Sequence, residues 1–136
     1  FYEMEDGSVI SIFKYKEIHQ SYPERVHGGL ITAMLDEIAG RAIWVTEPET
    51  WAVTTELNVK FRKVVPYDVT LKAVGKIIKN THRVFVGEAK VYDMEKNVLA
   101  EAVVTYLKLP LSKIATSTNA HEDVNIYLPD DVTEID

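Results

Sequence analysis

The sequence predicts one α+β domain in which a long helix packs on an antiparallel β-sheet. The segment from Gly28 to Val45 is rich in Leu, Ile, Ala and Met and shows no strand alternation, which favours a helix. One partly alternating segment precedes this helix and four β-rich segments follow it. The 136 residues are enough for one domain with a real core and too few for two comfortable ones.

The predicted strands are β-rich and are separated by turn residues. They are Ser8 to Lys16, Ala52 to Arg62, Val69 to Lys79, His82 to Asp93 and Val98 to Leu109. Between Glu17 and Val26, Pro23 argues against a helix and indicates a loop. Residues 93–97 suit a hairpin turn. We expect residues 1–110 to form a single domain and the polar, acidic tail at 111–136 to be partly disordered.

Small side chains at every second position of three strands indicate where the helix meets the sheet. The pairs are Ala73 with Gly75, Gly87 with Ala89, and Ala100 with Ala102. Each pair lies on one face of its strand, and small residues let a helix approach closely. Because the helix is apolar over most of its circumference, we expect the sheet to curl around it and a partner to cover the rest.

Composition excludes several classes of function. The net charge of −6 offers phosphate-rich nucleic acid no general attraction. Cysteine is absent and the four histidines lack ligand spacing, so we expect no disulfide and no metal site. No apolar stretch suits a bilayer span and no signal-peptide pattern opens the chain, which predicts a cytoplasmic protein without membrane contact. The start at Phe1 suggests that an N-terminal segment is missing.

One stripe of the predicted helix combines a carboxylate with small residues. At about 100° per residue, the stripe contains Gly29, Thr32, Asp36 and Gly40, with Ala33 and Ala39 at its borders. We expect something other than large side chains of this chain to fill the groove. Glu37 is placed to pair with Arg41, whereas Asp36 has no partner in the helix. A solvent-facing carboxylate and a tight turn at the glycines also fit these residues.

Three stretches of the sequence carry a family resemblance. They are HQSYPERVHGGLITAMLDEIAG, TTELNVKFRKVVPYDVTL and LAEAVVTYLKLP. The most specific feature is HGG with a carboxylate nine positions after the histidine. Over roughly residues 8–110 the chain resembles the hotdog-fold thioesterases of the phenylacetate-degradation (PaaI-like) type. The resemblance implies a long central helix wrapped by a curved antiparallel β-sheet, with acyl-CoA thioesters hydrolysed between two protomers.

The resemblance also implies roles for two residues of the helix. Asp36 is the expected general base or nucleophile, and the two remain open. The backbone N–H of Gly28 is expected to polarise the thioester carbonyl. An unpaired N–H at a helix N-terminus suits an oxygen that becomes an oxyanion. Glycine at positions 28 and 29 lets the thioester approach without a Cβ in the way.

Other positions are implied as assisting groups. Thr54 aligns with a serine or threonine that orients the water, and Thr55 is the alternative if the register slips by one. His27 is expected to hold the loop and the carbonyl. The family often carries Asn or Gln six residues before the HGG histidine. Here that place is Ser21, with Gln20 beside it, and either is expected to assist.

The substrate implied by the resemblance requires local cations, because CoA is strongly anionic and the chain is acidic. Candidates lie in KFRK and KNTHR, namely Lys60, Arg62, Lys63, Lys79, His82 and Arg83. Gly29 and Thr55 complete the expected substrate-binding set. No separate cofactor is expected, since CoA is part of the substrate.

Spacing along the helix predicts an oligomer. Gly28 and Asp36 lie eight residues apart, about 12 Å along an α-helix. One carbonyl cannot touch both, so a shared site needs Gly28 from one protomer and Asp36 from another, in a homodimer or a dimer of dimers. An acyl-CoA-binding module without catalysis is the alternative. An enoyl-CoA hydratase would need an aspartate and a histidine together near the helix start, and that pair is missing.

Overall fold

A computed structural model describes residues 1–22 and 25–110. The strands are β1 (Tyr2–Glu3), β2 (Val9–Phe13), β3 (Gln20–Tyr22), β4 (Arg25–Val26), β5 (Ala52–Phe61), β6 (Leu71–Asn80), β7 (Val84–Tyr92) and β8 (Val98–Lys108). Helix α1 spans Gly28–Arg41, and 3₁₀-helices span Glu17–His19 and Ala42–Val45. In these ranges no helix has the length and apolar character needed to cross a membrane. The predicted tail at residues 111–136 lies outside the described residues.

The long helix packs against one face of a single large sheet. Six strands pair antiparallel in the order β1-β2-β6-β7-β8-β5. Strands β3 and β4 form a separate small sheet directly before the helix. Helix α1 lies across β6, β7 and β8. This is the hotdog arrangement of a central helix wrapped by a curved antiparallel sheet, so the predicted fold class is confirmed.

The long elements agree with the sequence prediction and the shortest ones do not. The five predicted strands correspond to β2, β5, β6, β7 and β8, with ends that agree within three residues. The predicted helix is α1 continued by the 3₁₀-helix Ala42–Val45. The loop predicted between Glu17 and Val26 is wrong in part, because it contains a 3₁₀-helix, β3 and β4. Strands of two or three residues, including β1, are too short to show a period.

Helix α1 begins and ends where local chemistry requires it. Nδ1 of His27 accepts the N–H of Gly29 at 2.9 Å and so caps the N-terminus. The side chains that face the sheet follow a helical spacing and are buried, namely Ile31, Met34, Leu35, Ile38 and Ala39. After the 3₁₀-helix comes Pro48, which cannot continue a helix.

The predicted small residues of the sheet lie under α1. Ala73, Ala89 and Ala100 are fully buried. A Cβ on Gly75 would lie 2.7 Å from the carbonyl carbon of Ile38, and one on Gly87 would lie 2.9 Å from the carbonyl oxygen of Ala39. The helix backbone therefore rests directly on two strands. This contact sets the height of the helix above the sheet.

Candidate active site

The carboxylate of Asp36 is held by two hydroxyl groups of the sheet. Thr54, near the start of β5, donates from Oγ1 to Oδ1 of Asp36 at 3.0 Å. The hydroxyl of Tyr106, near the end of β8, lies 3.0 Å from the same Oδ1 and 2.6 Å from the backbone carbonyl oxygen of Asp36. Tyr106 has one hydroxyl proton, which these two oxygens share, whereas the Thr54 hydroxyl donates to Oδ1 alone. Within residues 1–22 and 25–110, no group donates a hydrogen bond to Oδ2.

Tyr106 is a site residue that the sequence prediction missed. Its ring is 5% exposed and stacks on Phe85 at 4.6 Å between centroids. Burial, reinforced by the charge of Asp36, raises the pKa of Tyr106 well above its usual value, so the hydroxyl keeps its proton and acts as a donor. A Cβ on Gly40 would lie 3.3 Å from this ring. The expectation that no large side chain of this chain fills the groove is therefore wrong at the Gly40 end.

Among the described residues, one N–H group at the N-terminus of α1 has no acceptor. The N–H of Gly29 donates to His27 Nδ1, and those of Leu30 and Ile31 donate to the His27 carbonyl oxygen at 3.0 and 3.3 Å. The Gly28 N–H finds no acceptor in the described part of the chain. The ring of Phe61 lies beside it, since a Cβ on Gly28 would be 3.4 Å from Cζ of Phe61. His27 thus caps the turn that presents Gly28.

An aromatic cavity of about 190 Å³ lies beside Asp36 and Thr54. Trp44 and Trp51 form one wall, with ring centroids 6.1 Å apart in an edge-to-face arrangement. The predicted ion pair between Glu37 and Arg41 is confirmed, with Nε 2.6 Å from Oε1, and it borders this cavity. Neither tryptophan was predicted as a site residue, because each gains its role only from the way the chain folds back after α1.

A hydrogen-bonded cluster anchors the segment that follows the tryptophan wall. Lys108 Nζ lies 3.0 Å from Oε1 of Glu47 and donates to Asn80 Oδ1 at 2.7 Å. Thr50 donates to the same carboxylate at 3.0 Å. Hydrogen bonds from Asn80, then from Lys108 and Thr50, lower the pKa of Glu47 to about 2. The cluster joins the end of the helical segment to β6 and β8.

This cluster predicts an acid-sensitive contribution to stability. The pKa of Glu47 is lower in the folded chain, about 2 against the ordinary value of 4.5, so the contribution is present above about pH 4.5 and is lost as the pH falls towards 2. In Glu47→Gln we expect a smaller fall in Tm between pH 5 and pH 2 than in the wild type. Thermal unfolding at several pH values across this range measures the fall in Tm. Glu49→Gln, at an exposed neighbour, is the control and should keep the wild-type slope.

The other residues predicted to assist the reaction lie on two different strands, Thr55 on β5 and Gln20 and Ser21 on β3. The register of β5 against β8 shifts between Thr54 and Glu56, and Oγ1 of Thr55 donates to the carbonyl oxygen of Thr105 at 3.2 Å rather than to Asp36. Of the two threonines, Thr54 is the one beside the carboxylate. Gln20 and Ser21 lie on β3, which pairs with β4 immediately before the helix.

The predicted cations fall at opposite ends of the sheet. A second cavity of about 460 Å³ lies beside Gly28 and is bordered by Arg25, Arg62 and Lys63. Arg62 also pairs with Glu101 at 3.2 Å. The exposed Lys79, His82 and Arg83 lie around the connection from β6 to β7, at the C-terminal end of α1. One chain by itself therefore does not bring the two groups together.

Similarity to known proteins agrees with this fold. Residues 24–100, more than half of the chain, match the family model of the thioesterase superfamily. No curated protein matches the chain. Among solved structures, the thioesterase superfamily protein RHA08564 is 21% identical with a TM-score of 0.72. The match covers 77% of this chain and 53% of that one, so this chain spans about half of that protein's length.

Two further structures contain ligands. The protein smu.793 from Streptococcus mutans, bound to acetyl-CoA, is 24% identical with a TM-score of 0.70, over 76% of this chain and 82% of that one. The protein BH2602 from Bacillus halodurans, with CoA, is 26% identical with a TM-score of 0.66, over 72% of this chain and 69% of that one. The fold is of the hotdog class, and the family match over more than half of the chain assigns the family: the chain belongs to the thioesterase superfamily.

Proposed function

We propose that this chain hydrolyses acyl-CoA thioesters to a free acid and CoA, with Asp36 as the general base or nucleophile. The observation that carries the proposal is the hydrogen bonding of this carboxylate. Thr54 and Tyr106 hold Oδ1, while Oδ2 receives no donor from the described residues. The ligands of the S. mutans and B. halodurans proteins support a CoA thioester as substrate.

Gly28 supplies the second half of the proposed chemistry. Its N–H has no acceptor among the described residues and stands at the positive end of a 14-residue helix. A thioester oxygen that accepts this N–H gains stabilisation as its negative charge grows. In this proposal Thr54 orients the attacking water, because its O–H donates to Asp36 while its oxygen can accept a hydrogen bond from the water.

We propose a dimer formed by the outer edge of β5. Among the described residues, β5 pairs with β8 on one side and with no strand on the other. This edge is ten residues long and bears exposed apolar side chains, with Phe61 55% and Leu57 39% exposed. A long apolar edge is a template for pairing with another chain. A second copy of this chain would cover it in an isologous contact.

Antiparallel pairing of two β5 strands would build the composite site. Thr54 near the start of β5 contacts Asp36, and Phe61 at its end contacts Gly28. In a two-fold pair, the start of one strand lies opposite the end of the other. Asp36 of one protomer would then approach Gly28 of its partner. The same pairing would bring Arg62 of one protomer towards Arg83 of its partner, a cationic setting for CoA phosphates.

The test of the proposed function is hydrolysis of a panel of acyl-CoAs from acetyl to palmitoyl, followed by detection of the free CoA thiol. We expect the wild type to release thiol and Asp36→Ala to lose roughly 10²- to 10⁴-fold in kcat while its Tm stays close to the wild type. Glu88→Gln is the matched control. Its carboxylate pairs with Lys90 on β7, outside the cavity, and this variant should keep the full rate.

The same panel distinguishes the alternative function. Tight binding of acyl-CoA by the wild type, without thiol release from any member, would favour the non-catalytic binding module. Equal rates for the wild type and a folded Asp36→Ala would remove Asp36 from the chemistry.

A further inference from the structure

We infer that Tyr106 is a positioning residue for the hydrolysis, whose hydroxyl holds Oδ1 of Asp36 so that Oδ2 is the oxygen that acts. This inference rests on the proposed function of Asp36. It assigns a role to a residue of β8 that lies 70 positions from the carboxylate in the sequence.

The geometry around Asp36 restrains the carboxylate from the sheet side. Thr54 and Tyr106 both lie 3.0 Å from Oδ1, and they come from neighbouring strands that pair at these two residues. Tyr106 also reaches the backbone carbonyl oxygen of Asp36 at 2.6 Å. A group that contacts both the backbone and the side chain of one residue restricts rotation of that side chain. The second oxygen is left for the substrate or the water.

Tyr106 itself has little freedom to move. Its ring stacks on Phe85, with centroids 4.6 Å apart, and its other side lies so close to Gly40 that a Cβ there would be 3.3 Å from the ring. A phenol that is almost fully buried and retains its proton serves as a fixed donor rather than as an acid or base. Positioning by locked groups of this kind is what a reactive carboxylate requires to act within about 0.5 Å of its productive geometry.

A second tyrosine provides a close internal comparison. Tyr15 is fully buried, and its hydroxyl donates to the backbone carbonyl oxygen of Leu30 in α1 at 3.1 Å. Tyr15 and Tyr106 each tie a buried ring to a carbonyl of the same helix. Only Tyr106 also reaches a carboxylate. A purely structural role therefore predicts similar consequences for the two phenylalanine variants, whereas positioning predicts a difference in kcat alone.

The experiment compares Tyr106→Phe with Tyr15→Phe on the acyl-CoA that the wild type hydrolyses fastest. We expect both variants to lose Tm to a similar extent. In Tyr106→Phe, kcat should fall roughly 10- to 100-fold, as for a lost hydrogen bond to a charged group, with KM changed by less than about twofold. In Tyr15→Phe, kcat should stay within about twofold of the wild type.

The Asp36→Ala background separates positioning from other effects. With no carboxylate to hold, adding Tyr106→Phe should change the residual rate by less than about twofold. A fall in kcat that persists in this background, or equal kcat values for the two phenylalanine variants, overturns the role of Tyr106. A wild-type rate in Asp36→Ala instead overturns the proposed function of Asp36 and the inference with it. An impaired Asp36→Ala with normal Tyr106→Phe overturns the inference alone.

Discussion

Gly75→Ala is expected to lower the Tm by roughly 10 °C, because the new Cβ has no room beneath the helix. It would lie 2.7 Å from the carbonyl carbon of Ile38 and 3.2 Å from the backbone nitrogen of Ala39. Both atoms belong to the helix backbone, so no side-chain rotation relieves the contact. Overpacking of this kind costs about 1–3 kcal/mol. Thermal unfolding measures the loss directly.

Two neighbouring substitutions test whether the helix contact causes the loss. Gly87→Ala places its Cβ 2.9 Å from the carbonyl oxygen of Ala39, a less severe contact, and should lower the Tm by a smaller amount. Val74→Ile enlarges the residue just before Gly75 in β6, whose side chain lies on the face of the sheet away from the helix, and should change the free energy of unfolding by less than about 0.5 kcal/mol. If Val74→Ile destabilised the protein as much as Gly75→Ala, the helix contact would not be the cause.

The position of the helix on the sheet was predictable because it follows from strand periodicity. Gly75 and Gly87 stand two residues from Ala73 and Ala89, so the sequence shows which face of each strand is small. The structure confirms that these faces lie under α1. The same logic extends along β8 from Ala102 to Tyr106, which is also an inward position. A buried tyrosine needs a hydrogen-bond partner. That need was a usable signal for a further site residue.

The partner of that tyrosine was not predictable from periodicity. Which helix residue lies over Tyr106 depends on the angle at which α1 crosses the sheet and on the pairing of distant strands. The register of β5 could not be predicted from the sequence either. The sequence left Thr54 and Thr55 as alternatives, and in the structure it is Thr54 that donates to Asp36. The register of β5 also shifts between Thr54 and Glu56, and such a shift leaves no local sequence mark in this strand. The choice between Ser21 and Gln20 stays a prediction.

The exposed edge of β5 lies beside both residues of α1 that the proposed chemistry uses. Gly28 and Asp36 lie on one helix, and the described residues offer each a separate neighbour on β5, Phe61 and Thr54. Two sites that each lack half of the proposed chemistry are what a two-fold dimer would complete. A composite site and a site within one chain therefore predict opposite activities for the same heterodimers.

Heterodimers of Gly28→Pro and Asp36→Ala chains are expected to regain about half of the wild-type activity, since one of their two composite sites is intact. Coexpression with two affinity tags and tandem purification yields these heterodimers for the thiol-release assay. Gly28→Pro removes the N–H, yet proline is well tolerated at the first position of a helix. Homodimers of this variant should lose roughly 10²- to 10³-fold in rate, as for loss of an oxyanion donor.

A second heterodimer reverses the expectation and serves as the control. When a wild-type chain pairs with a chain carrying both substitutions, each composite site contains one altered residue, so activity should be close to zero. A site within one chain predicts the opposite pattern, with half activity here and none for the Gly28→Pro and Asp36→Ala pair. Purification through both tags that recovers no heterodimer would exclude the shared site. The crossed design thus separates a composite site from a single-chain site by which of two heterodimers is active.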